Sequence, residues 1–355
     1  MKLQKSIRII WKNKNKYQKI LKNKNTPEGK IMALKRIIEE IGKKLNETKM
    51  GGNYLMEDYS IRVEKLKELV ETADYILIGA GAGLSSSAGL EYSGKRFTDN
   101  FEEFIEKYGF QDMYSSMFFP FKSSEEKWAY FAKHVYINNI AMEGTYLYKK
   151  LFNLIKDKDY FVITTNTDDQ FLKSGFEKER FFRTQGTYAK LQCSKACHNK
   201  LYDNEELILE MIERTDNELR IPSELVPKCP VCGEEMDLNL RKDHLFVEDL
   251  EWHEQNQRYN DFRENALGGN LLLLEFGIGF NTPIIIRFPF DDLTRSYENV
   301  NLARFNRSHL ELTVQQNGNY YLLMEDELDK YLTSNIKERY IPFSEDIGTT
   351  LDKLM

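Results

Sequence analysis

The sequence predicts an α/β protein in which helices cover both faces of a parallel sheet and a small additional unit is inserted. Short apolar runs that end in glycine or polar residues alternate with longer stretches of helical spacing, which is the pattern of parallel strands joined by helices. All four cysteines fall within one segment of little periodicity, 190–245. The 355 residues suffice for one large domain or two modest ones.

Four apolar runs are predicted to be buried strands. They are Tyr75–Ile78, which leads into the loop GAGAG, and the stretches YFVITTNTDD at 160–169, RFFRTQG at 180–186 and LLLLEFGIG at 271–279. Ligands of such sheets gather at the carboxyl ends of the strands. The glycines and polar residues that follow each run are therefore the candidate site of a Rossmann-like fold.

Helical spacing is found at 31–48, at 56–72 and through most of 99–156. We expect a basic and helical N-terminal extension at 1–50. The body is predicted to divide into a discontinuous Rossmann-like domain at 51–98, 157–190 and 262–350, and a small helical and zinc-ribbon domain at 99–156 and 191–261.

The charge is unevenly spread along the chain. Residues 1–49 carry about 15 Lys/Arg and 4 Asp/Glu, whereas the body carries about 35 and 52. A basic arm can bind nucleic acid or an anionic surface, or it can be a solvated helical extension. No apolar run approaches the roughly 20 residues of a membrane helix, and the N-terminus has no long apolar segment typical of a secretory signal. We expect a cytoplasmic protein.

The cysteines form the pattern C-x3-C followed by CPVCG and are Cys193, Cys197, Cys229 and Cys232. Four thiolates in two close pairs suit tetrahedral zinc. Because cysteine fills all four positions, the metal is predicted to be structural. Disulfides are the rival, but nothing indicates export. A redox C-x-x-C pair would leave the first two cysteines unexplained, and the adjacent His198 is a competing ligand.

The loop GAGAG could cradle phosphates, since glycines let a ligand approach the backbone and the next helix offers its first N–H groups. The spacing is not G-x-G-x-x-G and no Walker lysine follows, so a tight packing turn is about equally well supported. In ITTNTDDQ, Asn166 and Asp168 alternate and could face one side to bind an amide or ribose hydroxyls. Alternatively, Asp168 caps the next helix.

In combination these motifs resemble the sirtuin family over residues 73–345. The order is GAG-x-S, then T-x-N-x-D beginning at Thr164, then a G-T-aromatic-A stretch that runs into the first cysteine pair, the second pair, a late G-x-G and an asparagine in LARFN. The stretches QGTY, CPVCG, FVED and FGIGFNTP are similar to the macrodomain-linked class M branch, the SirTM-like sirtuins.

Three departures from the deacetylating sirtuins accompany this resemblance. Gln185 stands where those members have a histidine, EYSGKRF at 91–97 replaces a P-D-F-R loop, and the first cysteine pair has three intervening residues where two are usual. Histidine can act as a general base near neutral pH, whereas an amide cannot. The resemblance therefore implies little or no deacetylase activity.

The resemblance implies an NAD-dependent protein mono-ADP-ribosyltransferase that modifies a lipoylated carrier protein of the glycine-cleavage H type. Because this chain contains no macrodomain, the hydrolase that removes the modification is expected to be a separate protein. One alternative is a sirtuin-like NAD hydrolase. The other is a zinc-ribbon protein that binds nucleic acid, although acidic residues surround the lysines of the cysteine segment. We expect no membrane partner and no nucleic-acid partner.

By resemblance, Asn166 and Gln185 are the predicted catalytic residues. Phe97 is either an aromatic lid over the reacting sugar or a core residue, and Arg96 either meets an anionic group or is a solvated loop arginine. The residues predicted to bind NAD are Gly79, Ala80, Gly81, Ala82, Gly83, Ser85, Phe97, Thr165, Asn166, Asp168, Gln185, Gly277, Gly279, Asn281 and Asn306.

Overall fold

Six parallel strands form the central sheet of the protein. The computed structural model describes residues 57–316, 319–322 and 334–355, so the whole of the predicted basic extension at 1–50, with its helix at 31–48, lies outside the described residues. In chain order the described strands are β1 Tyr75–Ala80, β2 Asp159–Thr164, β3 Phe181–Arg183, β4 Gly186–Cys193, β5 Tyr202–Asp203, β6 Met236–Leu240, β7 Leu271–Phe276, β8 Val300–Phe305, β9 Thr313–Gln316, β10 Asn319–Leu322 and β11 Tyr340–Phe343.

The helices lie between these strands, together with a π turn at Tyr136–Ile140 and 3₁₀ turns at Lys178–Arg180 and Ser223–Leu225. The α-helices are α1 Tyr59–Thr72, α2 Ala82–Ser87, α3 Lys95–Asn100, α4 Glu102–Tyr108, α5 Met113–Ser116, α6 Ser124–Val135, α7 Tyr146–Ile155, α8 Gln170–Lys173, α9 Glu205–Arg214, α10 Leu250–Ala266, α11 Arg287–Ser296, α12 Ser334–Arg339 and α13 Ile347–Leu354. None of the helices in the described residues combines the length and apolar composition that a bilayer span requires.

The spatial order of the strands in the central sheet is β11-β8-β7-β1-β2-β3, so β1 lies in its interior. Successive side chains of β1 point to opposite faces of the sheet, and helices cover both faces. Ile76 and Ile78 belong to a cluster that includes α1, α7 and α13. Leu77 belongs to a second cluster, on the other face, with α10 and α11. The predicted α/β class, with a parallel sheet covered on both faces, is confirmed.

A third hydrophobic cluster lies away from the sheet and joins α3, α4 and α6 to the antiparallel strands β4, β5 and β6. It contains two of the four cysteines, Cys193 and Cys229. This cluster is the core of the helical and cysteine-bearing part of the chain. The discontinuous domain boundaries stay a prediction, since residues 58–355 form one compact unit.

The apolar run of β7 contains one charge, Glu275, which is fully buried. Both of its carboxylate oxygens accept hydrogen bonds from Arg304 on β8, at 2.7 and 2.8 Å. Arg304 also donates to Asp291 on α11 at 2.6 Å and to the Glu311 carbonyl at 2.8 Å. A buried charge must be paired, and this network ties the loop after β8 to the sheet.

Candidate active site

The loops that follow β1, β2, β3 and β7 leave the sheet at one edge. Ala80 is in register with Thr164 on β2 and with Phe276 on β7. The next amides continue this pairing, since Gly81 donates to the Phe276 carbonyl and Thr184 donates to the Thr164 carbonyl, each at 3.0 Å. From β1 the chain adds β2 and β3 on one side of the sheet, and later β7, β8 and β11 on the other side. Ligands of open parallel sheets bind at the point where this strand order reverses, which here is between β1 and β7.

Four side chains form one hydrogen-bond network: one follows β1, two follow β2 and the fourth lies on α7. Ser85 Oγ donates to Asp168 Oδ2 at 2.6 Å and lies 2.7 Å from the Tyr148 hydroxyl. Asn166 Nδ2 lies 3.2 Å from both hydroxyl oxygens and 3.0 Å from the Gly81 carbonyl. Ser85, Tyr148 and Asp168 are buried, whereas Asn166 is half-buried.

The charge of Asp168 determines the direction of every bond in this network. An ionised carboxylate only accepts, so Ser85 must give its single hydroxyl proton to Asp168. Tyr148 must then donate to Ser85, which leaves both hydroxyl oxygens as acceptors for the Asn166 amide nitrogen. Within the part of the chain that the structure describes, the Asn166 amide oxygen has no partner, so it is available to a ligand hydroxyl or a water.

Asp168 also accepts from the Gln170 amide at 3.1 Å through Oδ1. The carboxylate therefore both supports the start of α8 and takes part in the network. Capping of the next helix and a place in the candidate site, given as alternatives from the sequence, are compatible. Burial raises the pKa of the Asp168 carboxyl, and the hydrogen bonds from Ser85 and the Gln170 amide oppose that rise.

Asp168→Asn is expected to melt at pH 7 at a temperature equal to or above that of the wild type. Because the pKa of Asp168 is raised in the folded state, its stabilising contribution is present at low pH and is lost as the pH rises through the folded pKa. An amide removes that dependence on pH. Thermal unfolding between pH 4 and pH 7 measures the effect, with the surface variant Asp99→Asn as the control. A fall of several degrees at pH 7 would show that the hydrogen bonds outweigh the cost of burial.

The glycines after β1 and β7 pack against each other. A Cβ on Gly83 would lie 2.5 Å from the Gly277 Cα, and the Gly83 amide donates to the Gly277 carbonyl at 3.1 Å. Gly79 lies inside β1, where a Cβ would meet the Ile286 side chain at 2.4 Å. These glycines serve as a close packing turn, and the Gly83 amide is already occupied by a protein acceptor.

The late G-x-G and its asparagines occupy the neighbouring loops. Asn306 Nδ2 donates to the Ile278 carbonyl at 2.8 Å, so the loop after β8 is joined to the loop after β7. Gly279 and Asn281 are exposed. Asn306 thus lies beside the loop after β7, and its predicted role in binding NAD stays a prediction.

Gln185 lies between β3 and β4 and is half-buried. Its carbonyl accepts from the Arg241 amide at 3.0 Å. The following Gly186 has φ of +84°, and a Cβ there would lie 1.9 Å from the Asn239 carbonyl oxygen. The backbone beside Gln185 therefore requires glycine.

The loop that replaces P-D-F-R is held against the helical part of the protein. Phe97 is 2% exposed and stacks on Phe101 with ring centroids 5.6 Å apart, which agrees with the core reading of this residue. Arg96 donates to the Ile137 carbonyl and to Asn138 Oδ1, both at 2.9 Å. It is therefore a bound, half-buried side chain and not a solvated loop arginine.

The four cysteines converge on one point. Their sulfur atoms all lie within 4.8 Å of one another, with 3.5 Å between Cys193 and Cys232 and 3.7 Å between Cys197 and Cys229. Zinc–sulfur bonds of about 2.3 Å in a tetrahedron place the sulfurs about 3.8 Å apart, so the cluster fits zinc. His198 Nδ1 lies 3.1 Å from Cys197 Sγ, and its other nitrogen lies 3.0 Å from the Tyr202 hydroxyl.

We expect the purified protein to contain one zinc per chain, and Cys229→Ser to lose it. Because the cluster joins the end of β4 to the turn before β6, loss of the metal should unfold the ribbon and lower the melting temperature. Metal analysis and thermal unfolding measure both effects. Ser194→Ala, beside the cluster, is the control. Full zinc content in the serine variant would contradict the site.

Sequence reasoning missed Tyr148 and Asp169. Tyr148 lies on the buried side of α7, where an aromatic residue at helical spacing indicates only a core position. Asp169 accepts from Arg183 Nη1 and from Thr187 Oγ1, each at 2.6 Å. The paired aspartates of NTDDQ were the one available signal, since two adjacent acids after a buried strand need partners.

The fold and the site together define a Rossmann-like protein with a cysteine ribbon inserted between its strands. No protein-family model matches the chain. A protein ADP-ribosyltransferase of Staphylococcus aureus (strain Mu50 / ATCC 700699) is 36% identical over 301 residues, 84% of this chain and 95% of that protein. The chain therefore belongs to the protein ADP-ribosyltransferase family, and the resemblance to the SirTM-like sirtuins is confirmed.

A second relative and many solved structures also match the chain. A probable bifunctional ADP-ribose hydrolase/ADP-ribosyltransferase of Fusarium oxysporum f. sp. cubense is 33% identical over 250 residues, 67% of this chain and 41% of that protein. Solved structures of Sir2Tm bound to a propionylated peptide and of a Sir2 homolog–NAD complex are 16% and 14% identical. Each covers 82% of this chain, with 97% and 91% of the solved chains matched and TM-scores of 0.45 and 0.46.

Proposed function

We propose that this protein is an NAD-dependent mono-ADP-ribosyltransferase whose acceptor is a lipoylated carrier protein of the glycine-cleavage H type. The observation that carries the proposal is the hydrogen-bond network of Asn166, Ser85 and Asp168. This network is formed even though Gln185 stands at the position where the deacetylating sirtuins have a histidine base. Membership of the protein ADP-ribosyltransferase family supports the reaction class. The choice of a lipoylated carrier as the acceptor rests on the sequence resemblance to the class M branch.

The reaction needs positioning more than proton transfer. The bond between nicotinamide and C1′ of the ribose breaks, nicotinamide leaves with the electron pair, and an acceptor oxygen forms the new bond to C1′. Fixed dipoles stabilise the cationic sugar of the transition state. The free amide oxygen of Asn166 is suited to hold a ribose hydroxyl or the acceptor, and Asp168 is suited to the carboxamide of nicotinamide.

Gln185 is compatible with transfer but not with deacetylation. Deacetylation requires a base that removes a proton from a ribose hydroxyl, and general base catalysis contributes about 10²–10⁴-fold. A carboxylate acceptor arrives ionised and needs no such base. We therefore propose that Gln185 hydrogen-bonds the ribose or the incoming acceptor.

One assay with NAD labelled in its ADP-ribose portion tests the proposal. The protein is incubated with labelled NAD alone, with the lipoylated carrier and with the same carrier lacking lipoate. Label on the lipoylated carrier supports the proposal. Free ADP-ribose without labelled carrier would instead indicate an NAD hydrolase, and intact NAD would indicate a binding role. Salt-sensitive retention of nucleic acid without NAD turnover would favour the nucleic-acid alternative.

Gln185→His is expected to lower transfer to the carrier by about tenfold, because the donor and acceptor of a neutral imidazole are separate ring nitrogens that point in different directions from the paired oxygen and nitrogen of the amide. Initial rates of carrier labelling measure the effect, and a lysine-acetylated peptide measures any deacetylase activity gained. Gln257→His, on the exposed side of α10, is the matched control. Unchanged transfer in Gln185→His would argue against a specific role for Gln185.

The proposed partner hydrolase is a separate protein. The Fusarium relative is described as both an ADP-ribose hydrolase and an ADP-ribosyltransferase, and this chain matches 41% of its length. That arrangement supports a functional link between adding and removing ADP-ribose. Release of label from the modified carrier by a macrodomain protein would test it.

A further inference from the structure

The Asp169 carboxylate accepts hydrogen bonds from side chains on three elements, which are β3, β4 and the π turn. Arg183 Nη1 and Thr187 Oγ1 each lie 2.6 Å from it, on different oxygens. Asn139 Nδ2 lies 3.1 Å from the oxygen that Thr187 uses. The Asp169 side chain is 10% exposed, so solvent screens these contacts little.

Two of these donors flank Gln185 at equal distances along the chain. Arg183 comes two residues before it and Thr187 two residues after it. One carboxylate thus holds both ends of the segment 183–187. Asp169 directly follows Asp168, which belongs to the hydrogen-bond network of Asn166 and Ser85. Asp169 therefore connects the segment 183–187 to that network.

The third donor extends the connection to the loop 91–97. Asn139 and its neighbour Asn138 both lie in the π turn, and both are buried. Asn138 Oδ1 accepts from Arg96 of that loop, while Asn139 faces Asp169. Single π turns inside helices are frequent at functional sites, and here the turn joins two segments that are predicted to contact NAD.

The backbone of Asp169 agrees with this role. Its φ is +57°, a left-handed conformation that only a few per cent of residues other than glycine adopt. Such conformations persist where surrounding contacts hold them, and they concentrate at functional sites. The contacts from Arg183, Thr187 and Asn139 supply that support.

We propose that Asp169 is a positioning residue that fixes Gln185 relative to Asp168 and Asn166. The inference rests on the proposed role of Gln185 in transfer. Asp169 acts through Thr187 and Arg183. Loss of either contact should let the segment 183–187 shift, which reduces the rate of the reaction more than the affinity for NAD.

Thr187→Val and Thr187→Ser form the matched pair that tests the proposal. Thr187 is 1% exposed, and valine preserves its shape while removing the hydroxyl that bonds Asp169 and that accepts from the Ala189 amide at 3.0 Å. Serine retains both bonds. We expect kcat for carrier labelling to fall about tenfold or more in Thr187→Val, since small misplacements of reacting groups have effects of that size. The KM for NAD should change less than about twofold, and Thr187→Ser should stay within about twofold of the wild type.

A double-mutant cycle distinguishes positioning from a general loss of structure. In a Gln185→Ala background, Thr187→Val should add less than about a twofold effect, because both changes remove the same function. An undiminished effect in that background would overturn the proposal. Wild-type activity in Thr187→Val together with reduced activity in Gln185→Ala would overturn it while leaving the proposed function intact. Wild-type activity in Gln185→Ala would remove the proposed role of Gln185 and this inference with it.

Asp169→Asn is the second variant if Thr187→Val does not fold. Asparagine tolerates the left-handed conformation and retains an oxygen for Thr187, but it loses the charge that binds Arg183. We expect kcat for carrier labelling to fall and the share of NAD hydrolysed without transfer to rise. An unchanged kcat and an unchanged ratio of transfer to hydrolysis would overturn the proposal.

Discussion

Asn166→Ala is expected to slow nicotinamide release from NAD by about 10²–10³-fold, the effect typical of removing one preorganised polar group from an active site. The Asn166 amide nitrogen is held by Gly81, Ser85 and Tyr148, and its oxygen has no partner among the described residues. Alanine removes that oxygen without placing a larger group in the site. Chromatographic measurement of free nicotinamide against time tests the prediction.

Asn153→Ala is the matched control for this variant, since Asn153 is exposed on α7. Its rate and melting temperature should equal those of the wild type. Tyr148→Phe should give an intermediate loss, because it removes one of the three acceptors that orient Asn166 and leaves Ser85 without a donor. A rate in Asn166→Ala within about threefold of the wild type would contradict the assignment of Asn166 as catalytic, because a preorganised group contributes far more than that.

Gly277→Ala is expected to destabilise the protein by about 3 kcal/mol and to lower its melting temperature by about 5–10 °C. Gly277 has φ of +62°, and a Cβ there would lie 2.3 Å from the Gly83 Cα and 2.5 Å from the Leu84 amide nitrogen. Both are backbone atoms, so no side chain can rotate to relieve the clash. Thermal unfolding measures the loss, and NAD turnover should fall with it because the loops after β1 and β7 separate.

Gly279→Ala serves as the stability control two residues further on. Apart from Gly279 and its two chain neighbours, no atom of the described residues lies within 4 Å of a Cβ at Gly279, so the melting temperature of this variant should stay close to that of the wild type. A reduced affinity for NAD in this folded variant would separate a role in binding from a role in packing. Equal melting temperatures for Gly277→Ala and the wild type would contradict the close approach of the two loops.

Local patterns were sufficient where the physical cause is itself local. The apolar runs YILI and LLLL predicted the strands β1 and β7, because a strand buried on both faces requires continuous apolar residues. The spacing of the four cysteines predicted that their sulfur atoms converge, because two close thiolate pairs suit one tetrahedral ion. Strands β8 and β11 were not predicted, since the first contains the buried Arg304 and the second is a short edge strand with Pro342.

The order of apolar runs, the glycine turns, the cysteine pairs and the presence of Gln185 before Gly186 can all be read from the chain in isolation. Only in the folded protein does Tyr148 contact Ser85 and Asn166, and only there does Asp169 bind the residues on both sides of Gln185. The reason is physical: strand and ligand patterns depend on neighbours in sequence, whereas a hydrogen-bond network depends on groups far apart in sequence that meet only when the sheet has formed. The candidate catalytic residues are therefore visible in the sequence, and the residues that hold them in place are visible only in the folded protein.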